Sequence, residues 1–443
     1  MLTKRSFWLI SSLSVAVLVL VFFLFKRPNN TPPNIIWFSI DTLRAKSLKA
    51  YNYDKETAPT ISQLARQGVV FESAIAQGPV TQISHFSMLT GTYPFKHKIL
   101  TIDLKNRLSP NIKIAAEYFK ENGYSTILSG FFEGNPALNP DFGLKRGADH
   151  LIPHDPLKNT EQRKIVVNTL NEMALSKKPI FAFFHTQMVH GPYLPSQECL
   201  EENKDRYTGK MLWNESSLIN LFKNFPRPSS WAQDKNWEYG NLFFHLVDMS
   251  SQQDLKQLRW LYDGAIRCMD NELNHFLASI KNTLPSPDNT IIIITADHGE
   301  SLGEHNYLQH GNMTEENLKV PLIITFPNKK GLRIQAPVRS IDILPSILDY
   351  LGIKIPEYID GKSFLPLLDH PEQKVHFDYA FTHHRDSYAV YHQQFKYIFN
   401  KGDEELYDLS NDPNEQKNLI TEQPDTAYQL ESEYFKYLMD KNN

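Results

Sequence analysis

IIIITADHGESLGEH, residues 291–305, decides the reading of this chain. Four consecutive isoleucines predict a strand buried on both faces, the kind found inside a parallel sheet. The run ends in Asp297-His298-Gly299-Glu300. In open α/β sheets, chemistry collects beyond the carboxyl ends of strands. A carboxylate beside an imidazole at such an edge is half of a metal site. Gly299 is expected to let the backbone turn and approach a ligand closely. The plainer alternative is a capped turn with a solvated acidic face.

Outward from this stretch, strands alternate with helices. NIIWFSI (34–40) predicts a first buried strand that ends at Asp41. Apolar spacing at Ile61, Leu64 and Ala65 predicts a helix over 59–68, stopped at Gly68. Extended segments are expected from Val69 and over 124–129, 180–185 and 320–326, with helices over 112–122, 258–280 and 340–352. This alternation predicts an α/β fold with a doubly wound, mostly parallel sheet flanked by helices. After about residue 370 short alternating runs predict a small antiparallel unit closed by a helix. Residues 200–255 are polar and aperiodic, and read as an excursion or lid over the sheet. The expected division is an anchor at 1–27, a linker at 28–33, a catalytic domain at 34–370 and a C-terminal α+β subdomain at 371–443.

The chain has 443 residues, a net charge of −4, 41% hydrophobic and 12% aromatic residues. That suits a large packed enzyme and gives no footprint for nucleic acid. FWLISSLSVAVLVLVFFLF (7–25) is apolar apart from three serines. As a helix it would span about 28 Å, close to a bilayer's hydrocarbon thickness. No cleavage site follows it, so an uncleaved N-terminal transmembrane anchor with an exported (periplasmic or extracellular) catalytic body is expected. Lys4 and Arg5 before it balance Lys26 and Arg27 after it. Cys199 and Cys268 are the only cysteines, and two residues leave pairing open.

Three predicted strand ends supply candidate ligands. Asp41, Asp297, His298 and the Thr81 hydroxyl could hold one divalent ion. Coordination would lower the hydroxyl's pKa and aim its oxygen at an electrophile. Alone, Asp41 could cap a turn and Thr81 could cap the next helix.

These residues fall within segments that resemble the sulfatases, a branch of the alkaline phosphatase superfamily. The segments are NIIWFSIDTLRA (34–45), TAPTISQLARQGVVFESAIAQ (57–77), TQISHFSMLTG (81–91), MVHGPYLP (188–195), ADHGESLGEH (296–305), HGNMTEENLKVPLIITFP (310–327) and ELYDLSNDPNEQKNL (405–419). The resemblance implies an alkaline phosphatase-like fold, Asp41, Asp297 and His298 as metal ligands, and His190 as the acid that protonates the leaving group. His310 stands where the family carries an oxyanion-binding lysine.

The departures bear on chemistry. The family's nucleophile segment reads Cys or Ser, x, Pro, Ser, Arg, and here Thr81, Gln82, Ile83, Ser84 and His85 stand there. Threonine carries a methyl on Cβ and cannot become the aldehyde of formylglycine, so no formylglycine is expected. A threonyl ester must be opened by attack at sulfur or phosphorus. Thr42 replaces a second acidic residue, His298 replaces an asparagine, and SGFFEGN (129–135) replaces a Gly-Lys-Trp-His stretch. The ion could be calcium, magnesium, manganese or zinc, and one Asp fewer and one His more shift the expectation from calcium toward manganese or zinc.

The leading expectation is a membrane-anchored hydrolase of sulfate, phosphate or phosphonate esters. Thr81 attacks, His190 is the acid, and His310 and His85 stabilise charge. The first alternative is a phospho-group transferase acting on an envelope lipid or glycan. The second is a catalytically inactive binding protein, which the intact ligand set disfavours. A two-zinc phosphodiesterase lacks an Asp in FFHTQMVH (183–190). His305, His383 and His384 have no motif context and read as structural, surface or subdomain residues.

Overall fold

The computed structural model describes residues 31–442 apart from 132–136, 201–206, 208, 210–219, 221–241 and 328–330. The expected anchor and most of the 200–255 excursion lie outside the described residues. Among those described, no helix is long and apolar enough to cross a membrane.

The strands in chain order are β1 (Asn34–Ile40), β2 (Val69–Ile75), β3 (Ser125–Ser129), β4 (His150–Ile152), β5 (Ile180–Thr186), β6 (Thr290–Thr295), β7 (Ser301–Leu302), β8 (Leu308–Gln309), β9 (Lys319–Thr325), β10 (Leu332–Ile334), β11 (Val338–Arg339), β12 (Ala380–His384), β13 (Ser387–His392), β14 (Phe395–Asn400) and β15 (Asp403–Asp408). The large sheet runs β10-β2-β9-β6-β1-β5-β3-β4, with β11 also on β2. It is mixed and mostly parallel, because β9 is antiparallel to both β2 and β6.

β1 lies at the centre, parallel to β5 on one side and β6 on the other. Every residue of β1 and β5 is buried, as a run covered on both faces requires. Each large apolar side chain so buried contributes about 2 kcal/mol. One register matters most: Ser39 of β1 faces His185 of β5 and Thr295 of β6. The ends of three strands distant in sequence are thereby level, and their next residues emerge at one edge.

The covering helices include α1 (Pro59–Gln67), α2 (Thr81–Thr90), α3 (Ala115–Glu121), α4 (Thr160–Ala174), α5 (Gln252–Ile280), α6 (Ile343–Tyr350) and α7 (Pro424–Asn442). α5 starts six residues before its apolar spacing predicts, because the Ser251 side chain accepts from Asp254 N and caps it. It lays Phe276 against Phe38 and Phe184, with ring centroids 5.5 and 5.0 Å apart. α4 escaped the sequence reading. Its buried residues are few (Val166, Leu170, Met173) and its other face is polar. Pro345 sits in the first turn of α6, where its missing N–H costs nothing. The last helix, α7, covers the antiparallel sheet β12-β13-β14-β15, with Tyr434 stacked on Tyr388 at 3.9 Å.

A buried ion pair links the two sheets. Arg339 pairs with Asp342 at 2.7 Å and donates to the Tyr93 hydroxyl at 2.8 Å. The Tyr93 ring packs on Phe381 of β12 and on Tyr437 of α7. Cys199 and Cys268 form a disulfide that ties a short turn to the middle of α5.

Candidate active site

The edge where β1, β5 and β6 end carries Asp41, His185 and Asp297. Asp41 follows β1 directly, and its amide donates to Thr186 O of β5 at 2.9 Å. Thr42 then adopts φ +60°, unusual for a β-branched residue, with its hydroxyl donating to Asp41 O and Val189 O. On the far side of β1, Asp297 Oδ1 accepts the His298 amide at 2.9 Å. Gly299 also has a task within the fold. A Cβ there would lie 2.0 Å from Glu316 O, so the residue admits a close approach of the chain's own backbone.

The imidazole of His298 sits at the centre of a candidate metal group. Its Nδ1 lies 2.9 Å from Gly299 O, and because a carbonyl only accepts, Nδ1 carries the proton. Nε2 therefore presents a lone pair. Facing it are Thr81 Oγ1 at 3.3 Å, Asp297 Oδ2 at 3.5 Å and Asp41 Oδ1 at 3.6 Å. All four residues are buried. A lone pair turned on two carboxylates is unfavourable unless a cation lies between them. Neither Asp41 oxygen nor Asp297 Oδ2 accepts a well-formed hydrogen bond. Burial, followed by the Asp297 and Glu300 charges, holds the Asp41 carboxyl well above the usual range, against the pull of the Gln187 amide. Asp297 moves the other way: its burial is outweighed by the histidines around it. A divalent ion between them would offset the negative charge that this burial concentrates. Asp41, Asp297 and His298 thus form a compact ligand group, with the Thr81 hydroxyl beside it.

Thr81 opens α2 at its first helical position. Val80 is the N-cap, so the capping role considered for Thr81 is not the one it has. The helix N-terminus puts free N–H groups and the positive end of its dipole beside the hydroxyl. One turn later His85 is fully buried, and its Nδ1–H donates to Thr81 O at 2.8 Å. It lies 3.6 Å from Asp297 Oδ2, behind that carboxylate.

His190 and His310 face each other with ring centroids 5.2 Å apart. His190 Nδ1–H donates to Gly191 O at 2.8 Å, so Nε2 is the atom that can exchange a proton. Burial, then His310, lowers its pKa. The His310 ring lies tilted against that of His298 with centroids 4.4 Å apart, and its Nδ1 is 3.0 Å from Glu300 Oε1. Burial opposes its protonation, but the Glu300 carboxylate prevails and raises its pKa. Glu300 is itself buried and accepts from the Tyr193 hydroxyl at 2.8 Å.

The structure therefore brings Asp41, Thr81, His85, His190, Asp297, His298 and His310 together. Two residues of this cluster were not assigned from sequence. Glu300 was legible in the DHGE run, where only the pair before it was read as chemistry. His185 was legible as the polar residue closing IFAFFH. Burial pushes it down to about 3, so it is neutral. Of the histidines set aside, His383 is buried and bonds the Tyr434 hydroxyl, so it belongs to the subdomain core and not to the surface. His384 bonds Gly311 O. His305 approaches Glu316 Oε2 at 3.5 Å in a second acidic group with Glu415, where Lys46 and Lys396 already balance the charge.

Comparison with known proteins places this geometry. The chain is 25% identical to the N-acetylglucosamine-6-O-sulfatase of Bacteroides thetaiotaomicron over 88% of this chain and 82% of that protein. It is 23% identical to the arylsulfatase of Clostridium perfringens over 92% and 94%. Its fold matches the phosphonate monoester hydrolase of Agrobacterium radiobacter with a TM-score of 0.69 at 20% identity, covering 93% of this chain and 96% of that one. A structure in complex with its substrate D-glucosamine-2-N,6-O-disulfate gives 0.70 at 20%, covering 93% and 98%. Residues 303–441 match the C-terminal region of N-sulphoglucosamine sulphohydrolase. The sulfatase family itself matches over residues 33–353, and this chain belongs to it as a sulfatase-family ester hydrolase.

Proposed function

We propose that this protein hydrolyses sulfate, phosphate or phosphonate esters through Thr81, with one divalent ion held by Asp41, Asp297, His298 and the Thr81 hydroxyl. The observation that carries this is the bare His298 Nε2, which faces the Thr81 hydroxyl and both carboxylates within 3.6 Å. The bound ion supplies positive charge that lowers the hydroxyl's pKa and offsets charge on the transferred group.

The chain's own residues do the rest. Thr81 Oγ1 gives up its proton to solvent and displaces the leaving oxygen at sulfur or phosphorus. His190, protonated at Nε2, gives that oxygen its proton. His310, whose pKa the Glu300 carboxylate raises, would offer positive charge to the transferred group as the family's lysine does. Water then attacks sulfur or phosphorus, passing a proton back to His190, and the released Thr81 oxygen takes its proton from solvent. His85 already donates its proton to the Thr81 carbonyl, which favours a supporting role over contact with substrate.

Relatives named for sulfated sugars and for a phosphonate ester support an anionic ester, glycan-linked in the first case. The apolar run 7–25 and the disulfide fit an anchored body in an oxidising compartment outside the cytoplasm. The same run favours a second reading, in which an alcohol on an envelope lipid or glycan replaces water as the acceptor.

The test is a matched panel on the full chain: aryl sulfate, phosphate monoester, phosphate diester and phosphonate ester, each with Ca²⁺, Mg²⁺, Mn²⁺ or Zn²⁺. Turnover that needs both a metal and Thr81 supports the reading, and the preferred ester separates sulfur from phosphorus. Metal binding without turnover on any ester, but with transfer to added alcohols, selects the second reading.

A further inference from the structure

His185 is only 2% exposed, yet neither of its ring nitrogens has a hydrogen-bond partner. An unpaired polar ring in a core is worse than an apolar ring of the same shape. Its surroundings offer an apolar alternative, because Phe183 lies two residues earlier on the same face and His85 packs edge-on against both rings. The backbone is also pinned. A Cβ on Gly130 would sit 2.4 Å from His185 O, so the end of β3 presses directly on this residue.

One neighbour accounts for an imidazole here. His185 Nε2 lies 3.6 Å from Asp41 Oδ2, while His298 Nε2 lies 3.6 Å from Asp41 Oδ1. The two oxygens of one carboxylate are divided between two imidazoles. His298 turns a lone pair to its oxygen, which calls for a cation between them. A neutral His185 protonated at Nε2 turns an N–H to the other oxygen, and needs no ion.

We propose that His185 is a positioning residue of the metal centre, whose Nε2–H faces Asp41 Oδ2 at 3.6 Å, steadies that oxygen electrostatically and keeps Oδ1 directed at the ion. This rests on the metal-site reading above. Outer partners of this kind typically change metal affinity ten- to a hundredfold.

Calorimetric titration of the chelator-treated full chain with Mn²⁺ tests it, alongside His185→Phe, His185→Asn and His185→Gln. The glutamine amide reaches where Nε2 does, and the asparagine amide reaches only as far as Nδ1. His185→Phe is expected to weaken Mn²⁺ binding ten- to a hundredfold while the metal-free melting temperature stays level or rises. His185→Asn should lose a similar factor, and His185→Gln should stay within about threefold of wild type. If the phenylalanine variant does not fold, the Asn–Gln difference decides. Equal affinity in all variants, or equal loss in Gln and Asn, overturns the proposal. Failure of the wild type to bind any divalent ion overturns the metal-site reading beneath it.

Discussion

Thr81 Oγ1 stands 3.3 Å from His298 Nε2, so the hydroxyl at the start of one helix shares its space with the ligand atoms at the end of β6. Thr81→Ala is expected to reduce kcat/KM by about a thousandfold or more, as loss of a nucleophile does. Thr81→Ser should keep most activity, since it retains the hydroxyl. Metal affinity of Thr81→Ala, measured by calorimetry, should fall less than tenfold, because the two carboxylates and His298 remain.

In the proposed reaction His190 protonates the leaving oxygen, so its importance should scale with how much that oxygen needs a proton. His190→Gln is expected to cost about 10²–10⁴-fold with an alkyl ester and far less with a nitrophenyl ester. Steady-state rates across a series of leaving groups check this. Equal losses across the series would remove His190 from the acid role.

Asp342 makes stability depend on acid. Burial opposes its ionisation, but Arg339 and then His376 outweigh that and hold its pKa at about 2. Because the folded value lies below the unfolded value of about 3.9, the stabilisation is complete above about pH 4 and disappears as pH falls through 2. It is of order 2 kcal/mol. Urea unfolding of wild type and Asp342→Asn at pH 7 and pH 3 should show the gap between them narrowing at the lower pH.

The disulfide closes a segment with a sequence separation of 69. On the chain-entropy account a loop of this size is worth about 4 kcal/mol. Reduction, or the double change Cys199→Ser with Cys268→Ser, should lower the melting temperature in a thermal scan. Catalysis on small aryl esters should survive below that temperature, since neither sulfur touches the cluster around Asp41.

Sequence made the central strands legible because burial on both faces leaves no polar alternation to misread: 34–40 and the isoleucines of 291–294 are strands as expected. The helices with sparse apolar faces were harder, and α4 is the example. In the site, residues with motif context were found, and those defined by a neighbour were not. Glu300 matters because it meets His310, and His185 stands out because it faces Asp41. Such pairings are set by the register of distant strands, which no local pattern encodes. For Gly299 a local pattern shows the turn but not the crowding by Glu316 O, contributed by a short helix later in the chain.

The level ends of β1, β5 and β6 also govern when the site can exist. These strands are far apart in sequence, and parallel pairing between them is the slow, non-local kind of contact. No partly folded chain lacking both pairings can gather Asp41 and Asp297 around His298. Metal uptake at the proposed site would therefore be a clock for the end of folding, and an ion added during refolding should capture only molecules that have already closed the centre of the sheet.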